Sequence, residues 1–247
     1  MPDAAGYRAK FGVIVPSTNT VVEHDLNMIG PRGVTFHAGR MYIESPAIGS
    51  DASFLSLIEK VRTSMAVAVR DVMTCEPDYL VMGMSSETFW DGVEGNRRFE
   101  ERIKDMTGLD VSTGATSCRA ALEVLGVNSI AFFTPYQPVA DERVARFFTE
   151  AGFAVRRFEG LKCPTATSIA DVTRARLIEV LRGIDGDDVD AIVQVGTNLS
   201  MVRLAAEAED WLGKPVIAIN AATLWHALRV NGFDDRMDGF GSLLARH

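Results

Sequence analysis

The chain repeats itself. VIVPSTNTVVEHDL (13–26) returns as AFFTPYQPVADERV (131–144): an apolar run, a Pro-containing turn, then a helical pattern. YLVMGMSSE (79–87) returns as AIVQVGTNLS (191–200), an apolar run that breaks at glycine into polar residues. GLDVSTGATSCRAALEVLG (108–126) returns as GKPVIAINAATLWHALRVNG (213–232). Three paired segments in one order imply two similar halves.

Each half reads as α/β. The apolar, β-rich runs 11–15, 34–39, 79–83, 129–133, 153–158, 191–195 and 215–219 alternate with helix-length amphipathic stretches over 53–73, 137–152, 169–183 and 199–213. Several runs are apolar on both faces, as strands of a parallel sheet covered by helices must be. The alternation predicts βαβ units and two pseudo-symmetric parallel-sheet halves with a cleft between them. Residues 1–113 with 221–247 are expected to form one half, and 114–220 the other. Gly152 and Gly213 stand where helix C-terminal caps belong.

Length and composition narrow the function. The 247 residues suit one large or two small α/β domains, and a net charge of −8 disfavours nucleic acid as a partner. No apolar run approaches the roughly 18 residues that a bilayer requires, and the first residues lack a signal-peptide core. The expectation is a cytoplasmic protein with no membrane partner. Cys75, Cys118 and Cys163 are widely spaced and odd in number, which suits reduced thiols. His24, His37, His226 and His247 show no metal-ligand spacing, so no metal is expected.

In open parallel sheets, ligands bind beyond the carboxyl ends of the strands. Those ends carry Ser17–Thr18–Asn19, Gly83–Met84–Ser85–Ser86, Thr134–Pro135–Tyr136 and Gly196–Thr197–Asn198. All are small or uncharged, and two come from each half. Converging on one cleft, they would offer hydroxyls, amides and backbone N–H groups to a carboxylate, helped by helix N-termini. Taken singly, each turn also reads as an ordinary helix cap. Tyr136 can donate a hydrogen bond, or a proton if its pKa is lowered. Glu87, four residues past Gly83, is the other candidate acid or base if a dry pocket raises its pKa, and a first-turn helix carboxylate otherwise. Trp90 either walls the pocket or fills core. His226 reads as packed, and Asp91 and His24 as solvated. Cys118 falls inside a helical pattern, where a small buried cysteine is the usual reading.

PSTNT (16–20), TPY (134–136), GTNL (196–199), GKPV (213–216) and NAATLWHALR (220–229) resemble the maleate isomerase and arylmalonate decarboxylase branch of the aspartate/glutamate racemase superfamily. The resemblance spans nearly the whole chain in the right order. It implies two pseudo-symmetric halves, an active site between them, no cofactor, and a small mono- or dicarboxylic acid as substrate. Members are often oligomeric. In the family, a cysteine after the third strand of each half flanks the substrate. Here those positions align with Gly83 and Gly196. The glycines are expected to leave room for a larger substrate or an ordered water.

Thiol racemisation or thiol-addition isomerisation is then disfavoured. The function expected is a lyase, by decarboxylation or by hydration and elimination. A maleate-isomerase-like or racemase-like isomerase and a non-catalytic carboxylate-binding protein stand as alternatives.

Overall fold

The computed structural model describes residues 3–44 and 47–247. The chain runs β1 (Ala9–Pro16), α1 (Val22–Ile29), β2 (Val34–Met41), α2 (Asp51–Met73), β3 (Tyr79–Met82), α3 (Ser86–Phe89), α4 (Gly92–Thr107), β4 (Val111–Ser112) and α5 (Gly114–Val124). It continues through β5 (Ser129–Thr134), α6 (Pro138–Glu150), β6 (Ala154–Gly160), α7 (Arg174–Ile184), β7 (Ala191–Gln194), α8 (Val202–Leu212), β8 (Val216–Ala218) and α9 (Ile219–Val230). A short α10 (Ser242–Arg246) closes the chain. Among the described residues there are two separate four-stranded sheets, ordered β2-β1-β3-β4 and β6-β5-β7-β8. Every named strand pair is parallel. The second sheet repeats the order of the first, as the paired segments predict.

Strand periodicity decides which core each side chain enters. Phe11, Val13 and Val15 of β1 enter a core shared by both halves. Ile14 points the other way, into a smaller core with Met41, Val61, Met65, Leu80 and Phe99. Helix starts follow local chemistry. Ser50 and Ser53 form a reciprocal capping box that begins α2 at Asp51, two residues before the apolar pattern suggests. Gly152 and Gly213 have φ of +95° and +69°, the left-handed conformation that ends α6 and α8.

One sequence expectation needs correction. The pattern over 169–183 is not one helix: a 3-10 turn covers Ser168–Asp171, and Val172 is extended. Thr173 then caps α7, accepting from the Arg176 N–H. Strand β4 is only two residues long, too short to show in the pattern. Among the described residues, no helix is long and apolar enough to cross a membrane.

The halves join through apolar surface. Equivalent helices α5 and α9 pack together, and α9 also reaches β3, β4 and α1. On another side, Phe89 of α3 inserts between two rings of α6, with centroids 4.9 Å from Phe147 and 5.6 Å from Phe148. All three are fully buried. Phe89→Ala should therefore destabilise the protein by about 3–5 kcal/mol, the range for deleting a buried aromatic ring. Urea unfolding checks this; a loss under about 1 kcal/mol would show that the joint tolerates a cavity there.

Candidate active site

The four polar turns meet. One pocket is lined by Pro16, Thr18 and Asn19 after β1, Met84 to Ser86 after β3, Pro135 and Tyr136 after β5, and Gly196 to Asn198 after β7. The Thr197 hydroxyl donates to the Gly83 carbonyl at 3.0 Å, tying the β7 turn to the β3 turn. Asn19 Nδ2 donates in turn to Thr197 Oγ1 at 3.2 Å. The Asn198 side chain also crosses the halves: Oδ1 accepts from the Thr20 N–H and Nδ2 donates to the Ala166 carbonyl.

The other wall is apolar, and sequence reasoning missed it. Ile43 and Ile48 come from the segment after β2, Phe54, Leu57 and Val61 from α2, and Ala166 and Ile169 from the segment after β6. The signal was present in the helical spacing of 54, 57 and 61, which reads equally well as ordinary core. Phe54 stands edge-on to Tyr136 at 5.3 Å and stacks on Trp90 at 6.2 Å, so Trp90 backs the wall from behind. The segments from the two halves are fastened together: Ile48 N–H donates to the Pro164 carbonyl at 2.9 Å, and Ala47 pairs with Thr165 in an antiparallel bridge. The free space enclosed is small, about 60 Å³.

The lining residues carry no charged side chain. Their donors can be counted. Tyr136 and Ser85 share one hydrogen bond, 2.6 Å between hydroxyl oxygens, which leaves one O–H of the pair free for a ligand. Asn19 and Asn198 each commit one amide hydrogen to protein and keep a second. Asn19 also braces the turn before α1, its Oδ1 accepting from the N–H groups of Val21 and Val22. Thr197 has committed its proton to Gly83 and can only accept. The backbone N–H groups of Ser85 and Thr197 have no protein acceptor among the described residues.

Other expectations are corrected by geometry. Glu87 is not in the pocket: α3 turns it outward to Arg62, whose Nε donates to Glu87 Oε1 at 2.8 Å. Burial still raises its pKa, against the opposing pull of Arg62. Tyr136 does not have a lowered pKa. Burial pushes it well above the ordinary phenol value, and only the Ser85 hydrogen bond opposes this, so it is a neutral donor at any physiological pH. Ser17 does not line the pocket, because its hydroxyl accepts from the Ile43 N–H at 2.9 Å and holds that segment in place.

The glycines do not leave vacant volume. A Cβ on Gly83 would lie 3.1 Å from side-chain carbons of Val15 and Val22. On Gly196, which has φ of +119°, it would strike Pro135 Cδ at 2.4 Å. Gly83, expected to line the pocket, does not: it contributes its carbonyl to the turn, and Met84 beside it is the lining residue.

None of the cysteines lines the pocket. Cys118 is wholly buried on α5, and burial pushes its thiol far up. Burial also raises Cys163, to about 11. His226 accepts from or donates to Ser112 Oγ at 2.7 Å, and burial lowers its pKa to about 4. No group of three or more potential metal-ligating side chains occurs among the described residues.

Two buried acids stand two hydrogen bonds behind the pocket. Asp25 of α1 accepts from Asn220 Nδ2 at 2.8 Å, and the same nitrogen donates to the Thr197 carbonyl. Asp141 of α6 accepts from the Thr134 hydroxyl, whose oxygen takes the Tyr136 N–H at 2.9 Å. Burial raises both carboxyls to about 6. The folded state thus binds their protons more tightly than the unfolded state. Their contribution to stability is complete below about pH 4 and is lost as pH rises through about 6, on the order of 2–3 kcal/mol each. Asp25→Asn and Asp141→Asn should each reduce the loss of thermal stability between pH 4.5 and 7.5. Unchanged slopes in both variants would mean that these carboxyls ionise normally.

Comparison with known proteins places this geometry. The arylmalonate decarboxylase family matches residues 11–244. A maleate isomerase from Pseudomonas putida is 26% identical over 247 aligned residues, covering 96% of this chain and 97% of that one. An arylmalonate decarboxylase from Bordetella bronchiseptica is 28% identical over 150 residues, 60% of this chain and 62% of that one. Among solved structures, a Nocardia farcinica maleate cis-trans isomerase bearing a covalently bound succinylcysteine intermediate superposes with a TM-score of 0.87. It has 20% identity and covers 96% of this chain and 98% of that one. An arylmalonate decarboxylase structure superposes at 0.78 with 24% identity, covering 95% and 98%.

Proposed function

The chain belongs to the arylmalonate decarboxylase family, and from that premise we propose that it is a cofactor-independent lyase acting on a small mono- or dicarboxylic acid that carries an apolar substituent. One observation carries the reading: a set of neutral donors faces an apolar wall, with no thiol and no charge among the lining residues. The donors suit one carboxylate of the substrate. The wall of Ile43, Ile48, Phe54 and Ile169 suits an alkyl or aryl group and cannot solvate a second carboxylate placed against it.

Decarboxylation fits that asymmetry. The C–C bond to the poorly solvated carboxylate breaks and its electron pair passes into the retained carboxylate, giving an enediolate and carbon dioxide. Charge then builds on oxygens that Asn19, Asn198, the Ser85–Tyr136 pair and the Ser85 and Thr197 N–H groups can reach, which is where fixed donors in a dry site are most effective. The Tyr136 phenol, neutral and close to this charge, delivers the proton to carbon. Ser85 steadies the phenolate until water restores its proton. Elimination or addition of water would use the same donors for the same enolate. Thiol-addition isomerisation has no support from the pocket, because Cys75, Cys118 and Cys163 lie outside it.

The test is turnover in deuterium oxide of malonates bearing alkyl or aryl substituents at carbon 2, followed by NMR. The lyase reading expects carbon dioxide release with deuterium on the former malonate carbon. Conversion of maleate to fumarate instead would favour the isomerase, and saturable binding without turnover a carboxylate-binding protein. Tyr136→Phe should lower turnover by about 10²–10⁴, the range for a positioned proton donor. Replacing all three cysteines by alanine should leave turnover nearly unchanged. Loss of activity in a folded Cys163→Ala variant would return a thiol to the mechanism.

A further inference from the structure

The apolar wall of the pocket is clamped, and the clamp limits what the site can hold. Phe54, buried on α2, stacks on Trp90 with ring planes 16° apart and meets Tyr136 edge-on. Trp90 is covered in turn by the Arg143 guanidinium of α6, 5.5 Å from its ring centre. The first residue of α2 is tied to that same helix, since Asp51 Oδ1 accepts from the Val139 N–H at 3.2 Å. The Phe54 ring therefore cannot withdraw without displacing α6 or Tyr136. The rest of the wall is also fastened: Ile43 to Ser17, Ile48 to Pro164 and Ala166 to Asn198.

The space left between these fixed groups is about 60 Å³. An apolar cavity that accepts benzene measures about 150 Å³. A water needs at least about 10–15 Å³, so the pocket holds the equivalent of about four to six waters. The two carboxylates and central carbon of a malonate fill most of that. Room remains for about one or two further carbons.

We propose that the substituent is a short alkyl group, methyl or ethyl in size, and that Phe54 is the residue that excludes an aryl ring. This rests on the reading of the pocket as a site for a substituted malonate and narrows its substrate class. The wall is apolar enough for a ring but too close to receive one. Extra carbons forced into a packed site push its neighbours off their preferred rotamers. One methylene too many in such a pocket changes selectivity by about tenfold or more.

Rates alone cannot test this, because an aryl group stabilises a carbanion and speeds decarboxylation of its own accord. Binding of the product acids separates size from reactivity. Calorimetric titration with propionate, butyrate and phenylacetate should show butyrate or propionate binding about tenfold or more tightly than phenylacetate. An open apolar surface would give the opposite order, since the ring buries more area. Phe54→Val should reverse the preference. Leu57→Ala, at a partly exposed position of the same wall, is the milder variant and should narrow the gap severalfold. Circular dichroism checks the fold of both. Phenylacetate bound as tightly as butyrate by the unaltered protein, no binding of any of the three at millimolar concentration, or folded variants that keep the original order would each overturn the proposal. Preference for the short acids without decarboxylation of ethylmalonate would overturn the lyase reading and leave this inference standing. Decarboxylation of ethylmalonate with phenylacetate bound equally well would do the reverse.

Discussion

One hydrogen bond organises the pocket: the Thr197 hydroxyl on the Gly83 carbonyl. It joins the β7 turn to the β3 turn, one from each sheet, and it requires both backbones to approach closely. The two glycines permit that approach, since a Cβ on either would meet a neighbour. The remaining polar groups are arranged around this contact. Asn19 reaches Thr197 from the β1 turn, and Asn220 holds the Thr197 carbonyl from α9. Donors fixed in this way need little reorganisation when negative charge appears nearby.

The same arrangement suits the proposed lyase chemistry, which calls for no charged residue in the pocket. A lysine or arginine among the lining groups would hold a substrate carboxylate equally well before and after reaction. Neutral donors in an apolar surrounding hold the more concentrated charge of an enediolate better than the dispersed charge of the starting acid. Differential binding of this kind is what lowers a barrier. The buried carboxyls Asp25 and Asp141 are kept one layer back, where they brace the turns through Asn220 and Thr134 without facing the substrate.

Much of this was legible in the sequence, for physical reasons that can be named. Parallel strands carry a double-sided apolar pattern, so both sheets and the polar turns at their ends could be read directly. Asn19, Tyr136 and Asn198 follow from strand-end position alone. Direction was not legible. Glu87 is one residue from Ser86, but successive helical residues point about 100° apart, and Arg62 on a helix distant in sequence draws it away. The space at the glycines was misread because Val15, Val22 and Pro135 fill it from other elements. The phenol of Tyr136 was misread because its burial is the work of both halves.

The contact between Gly196 and Pro135 also bears on how such a chain can evolve. With φ of +119° and a proline ring 2.4 Å from any new Cβ, position 196 cannot accept a side chain by a single codon change without strain. The backbone around Pro135 would have to shift first, and that shift disturbs the placement of Tyr136 next to it. A side chain at position 196 therefore requires a matching change at Pro135, so packing makes the two positions mutationally coupled.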